Sequence, residues 1–480
     1  MSKAYRTAIP TALVVAGLLL GTAAEAAAEL QQPTAAPDSA PRYAPGEVVV
    51  RYRPGTSGTE RAALRNGLDA TVESKSVLKG LQVLDLPEGT TVRNAVEAAR
   101  SLPQVLYAEP NYSYRVAASP NDPMFDEMWS LGLKNDQGIN SGIDTPRAWN
   151  LTTGSPSVTV AVVDTGVDGS HPDLAENMWS NLGETPGNGV DDDGNGMVDD
   201  VTGWDWVEDD NSANDGMGHG THVAGIIGAR GNNGLGVTGV TWDVGLMPLR
   251  VLDASGSGWT SDVASAFAYA GRMGADVVNA SLAGNSYSEA MVDAMASSPE
   301  TLFVVAAGNA AANVDLSPTY PCVNSLPNVI CVAATGQTDQ LAAYSNYGSA
   351  NVDLAAPGDG ILSTWPGGTY SEGWGTSAAT PHVSGVAALL AARHPESTMG
   401  AVRDGIVGGT QGLPALAGRT VTGGRLSAAG ALERMGDVVP LEPEEEGDKR
   451  CDHKRRKRHG KSRRHHRKRW HRSGCRGRGR

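Results

Sequence analysis

The chain has 480 residues, enough for two to four domains, and a net charge of −14. Residues 449–480 hold 17 Lys and Arg against one Asp, so this segment carries +16 and the rest of the chain carries −30. A body this acidic argues against nucleic-acid binding outside the tail and favours solubility or bound cations; with only three Phe, the core must consist of Val, Ala, Leu and smaller residues.

The first 28 residues have the pattern of a secretory signal peptide. Lys3 and Arg6 precede an apolar run over residues 8–20, and small residues follow up to Ala28. The run is short for a membrane span, and an uncleaved anchor is the alternative. We predict a signal peptide at 1–28, export to the extracellular space, with the periplasm or cell surface as other destinations, and no membrane span after removal of the signal. A linker rich in Pro, Ala and Gln is predicted at 29–45.

Residues 46–116 are predicted to form a small αβ module. Apolar alternation and helical periodicity place its elements in the order strand, helix, strand, helix, strand. The predicted strands are 47–52, 81–86 and 105–112, and the predicted helices are 59–68 and 92–102.

Residues 117–435 are predicted to form the main domain. Short apolar strands alternate with helices, which indicates an α/β fold with a mostly parallel central sheet and helices on both faces. The predicted strands are 158–163, 245–251, 276–279, 302–306, 329–333 and 352–354. Chemistry in such folds gathers at the carboxyl ends of the strands, and both Asp164 and Asn309 follow strands directly.

A serine begins the most apolar helix of this domain. Ser377 follows Gly375 and Thr376 at the predicted first turn, where the helix dipole favours an oxyanion; a simple helix cap is the alternative. A hydroxyl becomes a good nucleophile when an imidazole acts as base and a carboxylate fixes the imidazole. Asp164 and His219 supply these two groups, in the chain order acid, base, nucleophile.

Three motifs together resemble the subtilisin-like serine peptidases. They are Asp-Thr-Gly at 164–166, His-Gly-Thr-His-Val-Ala-Gly at 219–225 and Gly-Thr-Ser-Ala-Ala-Thr-Pro at 375–381. The resemblance implies a subtilisin-like fold over 117–435, an inhibitor-like propeptide over 46–116, and a secreted serine endopeptidase that acts through an acyl-enzyme. It departs from the family at Ala378, where methionine is usual behind the nucleophile, and we expect altered fit there with activity retained.

The same resemblance assigns further site residues. Asn309 is matched to the oxyanion donor, with the Ser377 backbone N–H as the second donor; a turn residue is the alternative for Asn309. Two edges would hold an extended peptide, and a pocket would hold the side chain before the cleaved bond. The edges are Gly256, Ser257 and Gly258 on one side and Ser281, Leu282 and Ala283 on the other, and the pocket is Ala306, Ala307 and Thr319. These pocket residues are uncharged, which predicts broad specificity for apolar or aromatic residues.

His222 stands three residues after His219, a spacing that can bind metal. No Glu occupies the position that a metalloprotease motif requires, and the resemblance makes His222 structural.

Three groups of oxygen donors predict structural calcium. The run at 191–200 places Asp191, Asp193 and Asn195 at alternate positions with Gly196 sixth and Asp199 beyond. The twelfth position is Thr202 and not Glu, so this is no EF-hand, and a solvated turn is the alternative. The resemblance adds two further sets: Asp205, Glu208, Asp210, Ser212 and Asn214, and Asp122, Asp173 and Asn233.

Four cysteines in an exported chain suggest disulfides. Cys322 and Cys331 lie nine positions apart and are predicted to pair. Cys451 and Cys475 lie in the tail, where they either pair with each other or stay free.

The remaining predictions concern the segments before and after the main domain. We expect self-cleavage between Tyr112 and Pro120, an acidic Pro-rich hinge at 436–448 and a basic disordered tail at 449–480. The tail could bind polyanions, or be a plain extension trimmed after export. We expect a monomer that acts on polypeptides and is inhibited by its own propeptide; a polyanion-binding surface protein and an inactive scaffold are the competing functions.

Overall fold

The computed structural model describes residues 43–75, 78–112, 119–132 and 138–437. The signal peptide, most of the linker, the segment 113–118 at the predicted processing site, most of the hinge and the tail lie outside the described residues. The chain divides into two compact units at about residue 114.

The N-terminal unit is a four-stranded antiparallel sheet with two helices. Its order is β2-β3-β1-β4. Its elements are β1 Tyr43–Tyr52, α1 Gly58–Gly67, β2 Thr71–Lys75, β3 Leu81–Asp85, α2 Val92–Arg100 and β4 Val105–Tyr112. Strand β1 begins inside the predicted linker, and β2 was not predicted, because its five residues contain a single apolar side chain and join the sheet through backbone pairing.

Alternate side chains of β1 bury one face of this sheet. Val48, Val50 and Tyr52 are at most 1% exposed and pack in one core with apolar residues of α1 and α2. Each helix also has a local start signal: Ser57 forms a capping box before α1, and the Thr91 hydroxyl caps α2. Burial of the apolar stripe and these caps together explain why these short segments are helical.

The C-terminal unit has a nine-stranded sheet in the order β14-β15-β11-β10-β9-β8-β5-β7-β6, and a separate hairpin. Pairing is parallel except between β14 and β15. The elements are α3 Thr145–Trp149, β5 Gly154–Asp164, β6 Trp204–Asp205, α4 His219–Gly228, β7 Asp243–Arg250, α5 Thr260–Arg272, β8 Val277–Ala280, α6 Glu289–Ala296, β9 Leu302–Ala306, β10 Val329–Thr335, β11 Leu354–Pro357, β12 Asp359–Trp365, β13 Thr369–Trp374, α7 Thr376–Arg393, α8 Met399–Gly408, β14 Gln411–Gly412, β15 Gly424–Arg425 and α9 Ala428–Arg434.

Helices cover both faces of this sheet. Along β5, Val160 and Val162 pack with residues of α4 and α7, whereas Ala161 and Val163 pack with residues of α5 and α6. All four are completely buried, as the period of two predicts for a strand inside two helical layers. The predicted fold class, an α/β fold with a mostly parallel sheet between helices, is confirmed.

Two sequence predictions need adjustment. The strand expected at 352–354 lies at Leu354–Pro357. The hairpin β12–β13 was missed, although its Gly367-Gly368 turn, with φ of 79° and 72°, is a usual hairpin signal. Its strands mix polar and apolar residues because the hairpin lies on helix α4 and not in the sheet: the Ser363 hydroxyl donates to the carbonyl of His222.

Helix α7 has more buried residues than any other described helix of the unit. Fifteen of its 18 residues are buried, which explains why its sequence is apolar on almost every side. Pro381 lacks an N–H and would leave the Ser377 carbonyl without its helical partner. The Ser281 hydroxyl donates to that carbonyl at 2.9 Å, so the residue after β8 completes the first turn of α7.

In the described part of the chain, no helix combines the length and the apolarity that crossing a membrane requires.

Candidate active site

Asp164 is the last residue of β5 and is completely buried. Its Oδ1 accepts a hydrogen bond from the backbone N–H of Thr165 at 2.7 Å and from Nδ1 of His219 at 2.6 Å. A buried carboxylate in this position fixes the orientation and tautomer of the imidazole, because only the Nδ1–H form can donate to it.

His219 is the first residue of helix α4, and its side chain is 31% exposed. The charge of Asp164 raises the pKa of His219, burial opposes this rise, and Asp215 adds to it. The close approach of α4 to β5 depends on Gly220, since a Cβ there would lie 2.0 Å from the carbonyl oxygen of Gly166. The neighbouring carboxylates therefore stabilise the protonated form of the imidazole.

Ser377 is the second residue of α7 and is half-buried. It lines the same cleft as His219. Gly375 just before the helix has φ of 127°, and a Cβ on it would lie 2.9 Å from Ser377 Oγ and 3.1 Å from Asn309 Nδ2. Only glycine keeps this space open, and the hydroxyl and the amide nitrogen both face it.

Asn309 follows β9 by three residues, and its side chain is held by α7. Its Oδ1 accepts from the backbone N–H of Thr376 at 2.8 Å and from the Thr376 hydroxyl at 3.0 Å. Because both bonds use the carbonyl oxygen of the amide, its Nδ2 is turned toward the Gly375 side as a donor. The first N–H groups of a helix lack helical partners, so the Ser377 N–H is a second donor at this place.

Ala378 is 3% exposed and packs with Trp129, Ile226 and Ile361. Larger side chains therefore surround the small residue that the sequence has next to Ser377.

The cleft has a volume of about 770 Å³ and runs past Ser377. Six of the predicted substrate-edge residues line it: Gly256, Ser257, Gly258, Ser281, Leu282 and Ala283. Gly256 belongs to a turn fixed by Asp253, whose Oδ1 accepts from Ser255 and Ser257. Both edges thus offer backbone groups on ordered segments, as binding of an extended peptide requires.

The predicted pocket is only partly in place. Ala306 lines the cleft, but Ala307 is completely buried in the apolar layer and Thr319 lies outside the cleft lining. Ala307 lies one residue beyond β9 and continues its alternation with Phe303 and Val305, so its side chain lies in the core. Tyr320 lines the cleft instead and pairs with Gly284 through two 2.8 Å backbone hydrogen bonds.

Sequence reasoning also missed apolar residues of the cleft. Met217, Leu252, Trp259 and Met291 line it, and Trp259 is 77% exposed. Exposure of this kind is not visible in the sequence, so these residues could not be singled out from it.

Cys322 and Cys331 are joined by a disulfide with an S–S distance of 2.02 Å. The bridge connects the segment after Tyr320 to strand β10. Cys451 and Cys475 lie outside the described residues.

His222 has a structural setting. Its Nε2 donates to the carbonyl of Ile361 at 2.9 Å, and burial lowers its pKa to about 4. Nε2 of His222 is held by the β12 backbone and Nδ1 of His219 by Asp164, so the two rings are held in separate hydrogen bonds.

The acidic run at 191–200 folds into a loop in which carboxylates accept backbone N–H groups. Asp191 accepts from Asn195 and Gly196, and Asp199 accepts from Asn188 and Gly189. The carboxylates that come together are instead those of Glu184, Asp193 and Asp200, with ligand oxygens within 4.8 Å of one another. Asn195 lies beside this group, since its amide donates to Asp193 and Asp200. Glu184 and Asp200 were not predicted, and Glu184 lies outside the motif.

The second predicted set is spread along a turn. Asp205 Oδ2 pairs with Arg250 at 2.5 Å, and its Oδ1 accepts from the backbone N–H groups of Val207 and Glu208. Asp210 accepts from Ser212, and the Asn214 amide donates to the Ser212 hydroxyl. This set differs from the third in that a guanidinium already neutralises one of its carboxylates, that of Asp205.

The third set is compact and buried. Asp122 is 4% exposed and accepts from the N–H groups of Asn232 and Asn233, while Asp173 is completely buried and accepts from the Asn233 amide. Burial is the main reason why the pKa of Asp122 is raised, and the charge of Asp173 adds to it. Among the described residues no Lys or Arg pairs with either carboxylate.

Two family models match the chain. The model of the Subtilase family matches residues 155–423, and the model of the Fervidolysin N-terminal prodomain matches residues 29–111. The prodomain match begins inside the predicted linker.

Curated relatives and solved structures agree with the match to the Subtilase family model. A thermophilic serine proteinase of Bacillus sp. (strain AK1) is 37% identical over 355 residues, which are 73% of this chain and 79% of that protein. Thermitase of Thermoactinomyces vulgaris is 40% identical over 277 residues, 57% of this chain and 86% of that protein. A solved protease of Pseudoalteromonas arctica superposes with a TM-score of 0.54 at 34% identity, covering 66% of this chain and 99% of that one.

Proposed function

The chain belongs to the subtilase family and is a subtilisin-like serine endopeptidase with an N-terminal prodomain, and from this premise we propose that Asp164, His219 and Ser377 are its catalytic triad. The observation that supports the proposal best is the 2.6 Å hydrogen bond between His219 and the buried carboxylate of Asp164, at the wall of the cleft that Ser377 lines.

We propose the following reaction. Ser377 Oγ attacks the carbonyl carbon of the peptide bond, and its proton passes to Nε2 of His219. The tetrahedral intermediate expels the amine, which takes that proton from His219 and leaves an acyl ester on Ser377. Water then attacks the ester with His219 again as base, and the acid product leaves. Throughout, Asp164 stabilises the imidazolium through Nδ1–H.

Asn309 Nδ2 and the Ser377 N–H would stabilise the oxyanion of both tetrahedral intermediates. Thr376 prevents the Asn309 amide from rotating, since two of its groups donate to the carbonyl oxygen. Donors fixed before the reaction need no reorganisation when charge develops on the substrate oxygen.

We expect broad specificity with an uncharged apolar or aromatic residue before the cleaved bond. Ala306, Gly308 and Tyr320 line the cleft near Ser377, and none is charged. A peptide library that varies this one position tests the expectation: Phe and Leu should be cleaved best, and a preference for Arg, Lys, Asp or Glu would contradict it.

The prodomain would act as inhibitor of the enzyme until the chain between Tyr112 and Pro120 is cut by the enzyme itself. N-terminal sequencing of the secreted wild type and of Ser377→Ala tests this. The wild type should start near Ser119, and the variant should keep its prodomain; identical cleavage of both would show that another peptidase cuts the site.

We propose that calcium stabilises the C-terminal unit. Asp122 and Asp173 fit a hard cation because both are buried carboxylates bonded to Asn233 and, in the described part of the chain, neither pairs with Lys or Arg. Glu184, Asp193 and Asp200, with Asn195 beside them, fit for the same chemical reason. Asp191 and Asp199 would shape that loop, while Asp205, Glu208, Asp210, Ser212 and Asn214 are the weakest set because Arg250 already neutralises Asp205.

Export is proposed from the signal pattern at the N-terminus. An extracellular protease of Xanthomonas campestris is 37% identical to the chain over 339 residues. An exported peptidase would also find calcium and an oxidising environment for Cys322 and Cys331.

The catalytic assignment is tested by hydrolysis of an unstructured protein substrate. In subtilisin, a member of this family, loss of the nucleophile lowers kcat by about 10⁶-fold, and we expect a loss of that order in Ser377→Ala. Ser157→Ala is the control, because Ser157 lies at the other end of β5 from Asp164. Hydrolysis by Ser377→Ala at a rate near that of wild type would refute the assignment.

A further inference from the structure

Asp215, four residues before His219, holds an unusual number of hydrogen bonds on one carboxylate. Its Oδ1 accepts from the Thr165 hydroxyl at 2.8 Å and from the backbone N–H groups of Met217 at 2.9 Å and Gly218 at 2.7 Å. Its Oδ2 accepts from Thr221, from the backbone N–H at 2.8 Å and from the hydroxyl at 2.6 Å. Five donors on a half-buried side chain fix it in one orientation.

These donors belong to the two segments that carry the acid and the base. Thr165 directly follows Asp164 and donates its N–H to that carboxylate, and its hydroxyl also accepts from the N–H of Gly220 at 2.9 Å. Thr221 lies in the first turn of α4, two residues after His219. Asp215 therefore connects the end of β5 to the first turn of α4 through side-chain bonds.

Asp215 also supplies the cap that α4 otherwise lacks. The residue before the helix is Gly218, with φ of 109° and no side chain to bond the free N–H groups. The carboxylate of Asp215 bonds two of the N–H groups at this helix start, and its negative charge is favourable at the positive end of the dipole.

We propose that Asp215 is a positioning residue of the catalytic triad, which fixes the first turn of α4 so that the imidazole of His219 meets Asp164, and whose charge favours the imidazolium formed during the reaction. This inference rests on the proposed roles of His219 and Asp164. Asp215 acts through these residues and does not itself contact the substrate.

The charge of Asp215 should affect the pKa of His219 in a definite direction. Asp164 on β5 and Asp215 before α4 both raise the pKa of His219, and burial opposes them. His222 on α4 is the other titratable group at His219, and it is neutral above a pKa of about 4. Removing the charge of Asp215 lowers the pKa of His219, so the acidic limb of kcat/KM moves to lower pH. The same change destabilises the imidazolium in the transition state and lowers kcat.

The test compares Asp215→Asn with Asp315→Asn in the mature enzyme, with active sites counted by a fluorophosphonate titrant. Asp315 is a matched control: it is also half-buried and its carboxylate accepts from Ala350, Asn351 and Ser349, none of which belongs to the site. We expect kcat per active site to fall about 10- to 100-fold in Asp215→Asn, with KM within about twofold and the acidic limb at lower pH. Asp315→Asn should behave as wild type.

Thr165→Val separates position from charge. It removes the hydroxyl that bonds both Asp215 and the Gly220 N–H but leaves the charge of Asp215 in place, so kcat should fall several-fold without a shift of the acidic limb. Wild-type kcat and an unshifted limb in Asp215→Asn would overturn the inference, as would a loss of activity that disappears when rates are divided by titrated sites. An active Ser377→Ala enzyme would instead refute the triad, which keeps the two failures apart.

Discussion

Helix α7 and the acidic segment 181–214 lie in the same unit, but different forces hold them. Fifteen of the 18 residues of α7 are buried, and its position is set by packing against the sheet. The acidic segment is mostly turns, and its carboxylates are held by backbone N–H groups, amides and Arg250. Apolar packing depends little on ions. Neighbouring carboxylates repel one another, and hydrogen bonds or a bound cation are needed to stabilise their charges.

The difference teaches that catalysis and stability can be perturbed separately. The nucleophile and the oxyanion donors depend on α7 and on strands that end beside it. The acidic segment supplies no atom to the proposed reaction. Changes at the triad should thus alter rates with little change in melting temperature, and changes at the carboxylates should do the opposite.

Replacement of the proposed triad acid should give the largest change in activity. In Asp164→Asn the amide no longer enforces the Nδ1–H tautomer of His219, and we expect kcat to fall by about 10⁴-fold. The melting temperature should change little, because the amide is isosteric. A loss of kcat below tenfold, or unfolding of the variant at moderate temperature, would contradict the separation of catalysis and stability.

Loss of the oxyanion donor should come next. For Asn309→Ala we expect kcat to fall by about 10²- to 10³-fold with KM almost unchanged, the size known for the corresponding donor of subtilisin. Steady-state kinetics on a peptide substrate measures this. If KM rose and kcat stayed constant, Asn309 would contribute to ground-state binding only.

Removal of calcium should change the melting temperature and leave the catalytic site intact. With free calcium at about 100 times the Kd of the site before chelation, removing the ion should lower the melting temperature by about 5–10 °C. The number of active sites titrated at low temperature should stay the same.

Variants locate the stabilising ion. Asp173→Asn and Asp200→Asn should each remove part of the calcium-dependent rise in melting temperature, and Asp404→Asn, whose side chain is 83% exposed, should not. An equal melting temperature with and without chelator in the wild type would eliminate the calcium proposal.

Lowering the pH should reduce the free energy of unfolding by a smaller amount, through two buried histidines. Burial lowers the pKa of His222 and of His382, on α7, to about 4. Unfolding restores ordinary values, so between about pH 6.5 and 4 the unfolded state binds more protons and stability falls as pH decreases. Urea unfolding at pH 7 and pH 5 should show a loss of about 1–4 kcal/mol. His382→Gln should show a weaker pH dependence, and a wild-type stability that is flat over this range would contradict the assignment of two neutral buried histidines.

The sequence revealed the parts of the site that lie in continuous motifs. Asp164 and Ser377 could be predicted because each follows or begins an element with a clear apolar pattern. Asn309 could be placed because it follows β9, but its orientation depends on Thr376, which is 67 residues away. Such a contact exists only after the sheet has formed.

Where prediction failed, the cause was again long-range packing. Ala307 and Ala306 look equivalent in the sequence, but strand alternation buries only one of them in the layer below the cleft. Glu184 joins Asp193 and Asp200 because the loop turns back on itself, and the spacing of the acidic run gives no sign of it. Asp215 has no motif of its own, and its role appears only from the donors that converge on it.

The central claim, that Ser377 is the nucleophile activated by His219 and Asp164, is tested most directly by mapping a covalent adduct. The mature enzyme is treated with a fluorophosphonate, digested, and the modified residue is identified by mass spectrometry. The account predicts one adduct per molecule on Ser377, formed much more slowly in Asp164→Asn and absent in Ser377→Ala. An adduct on another serine, or none in an enzyme that hydrolyses peptides, would contradict it.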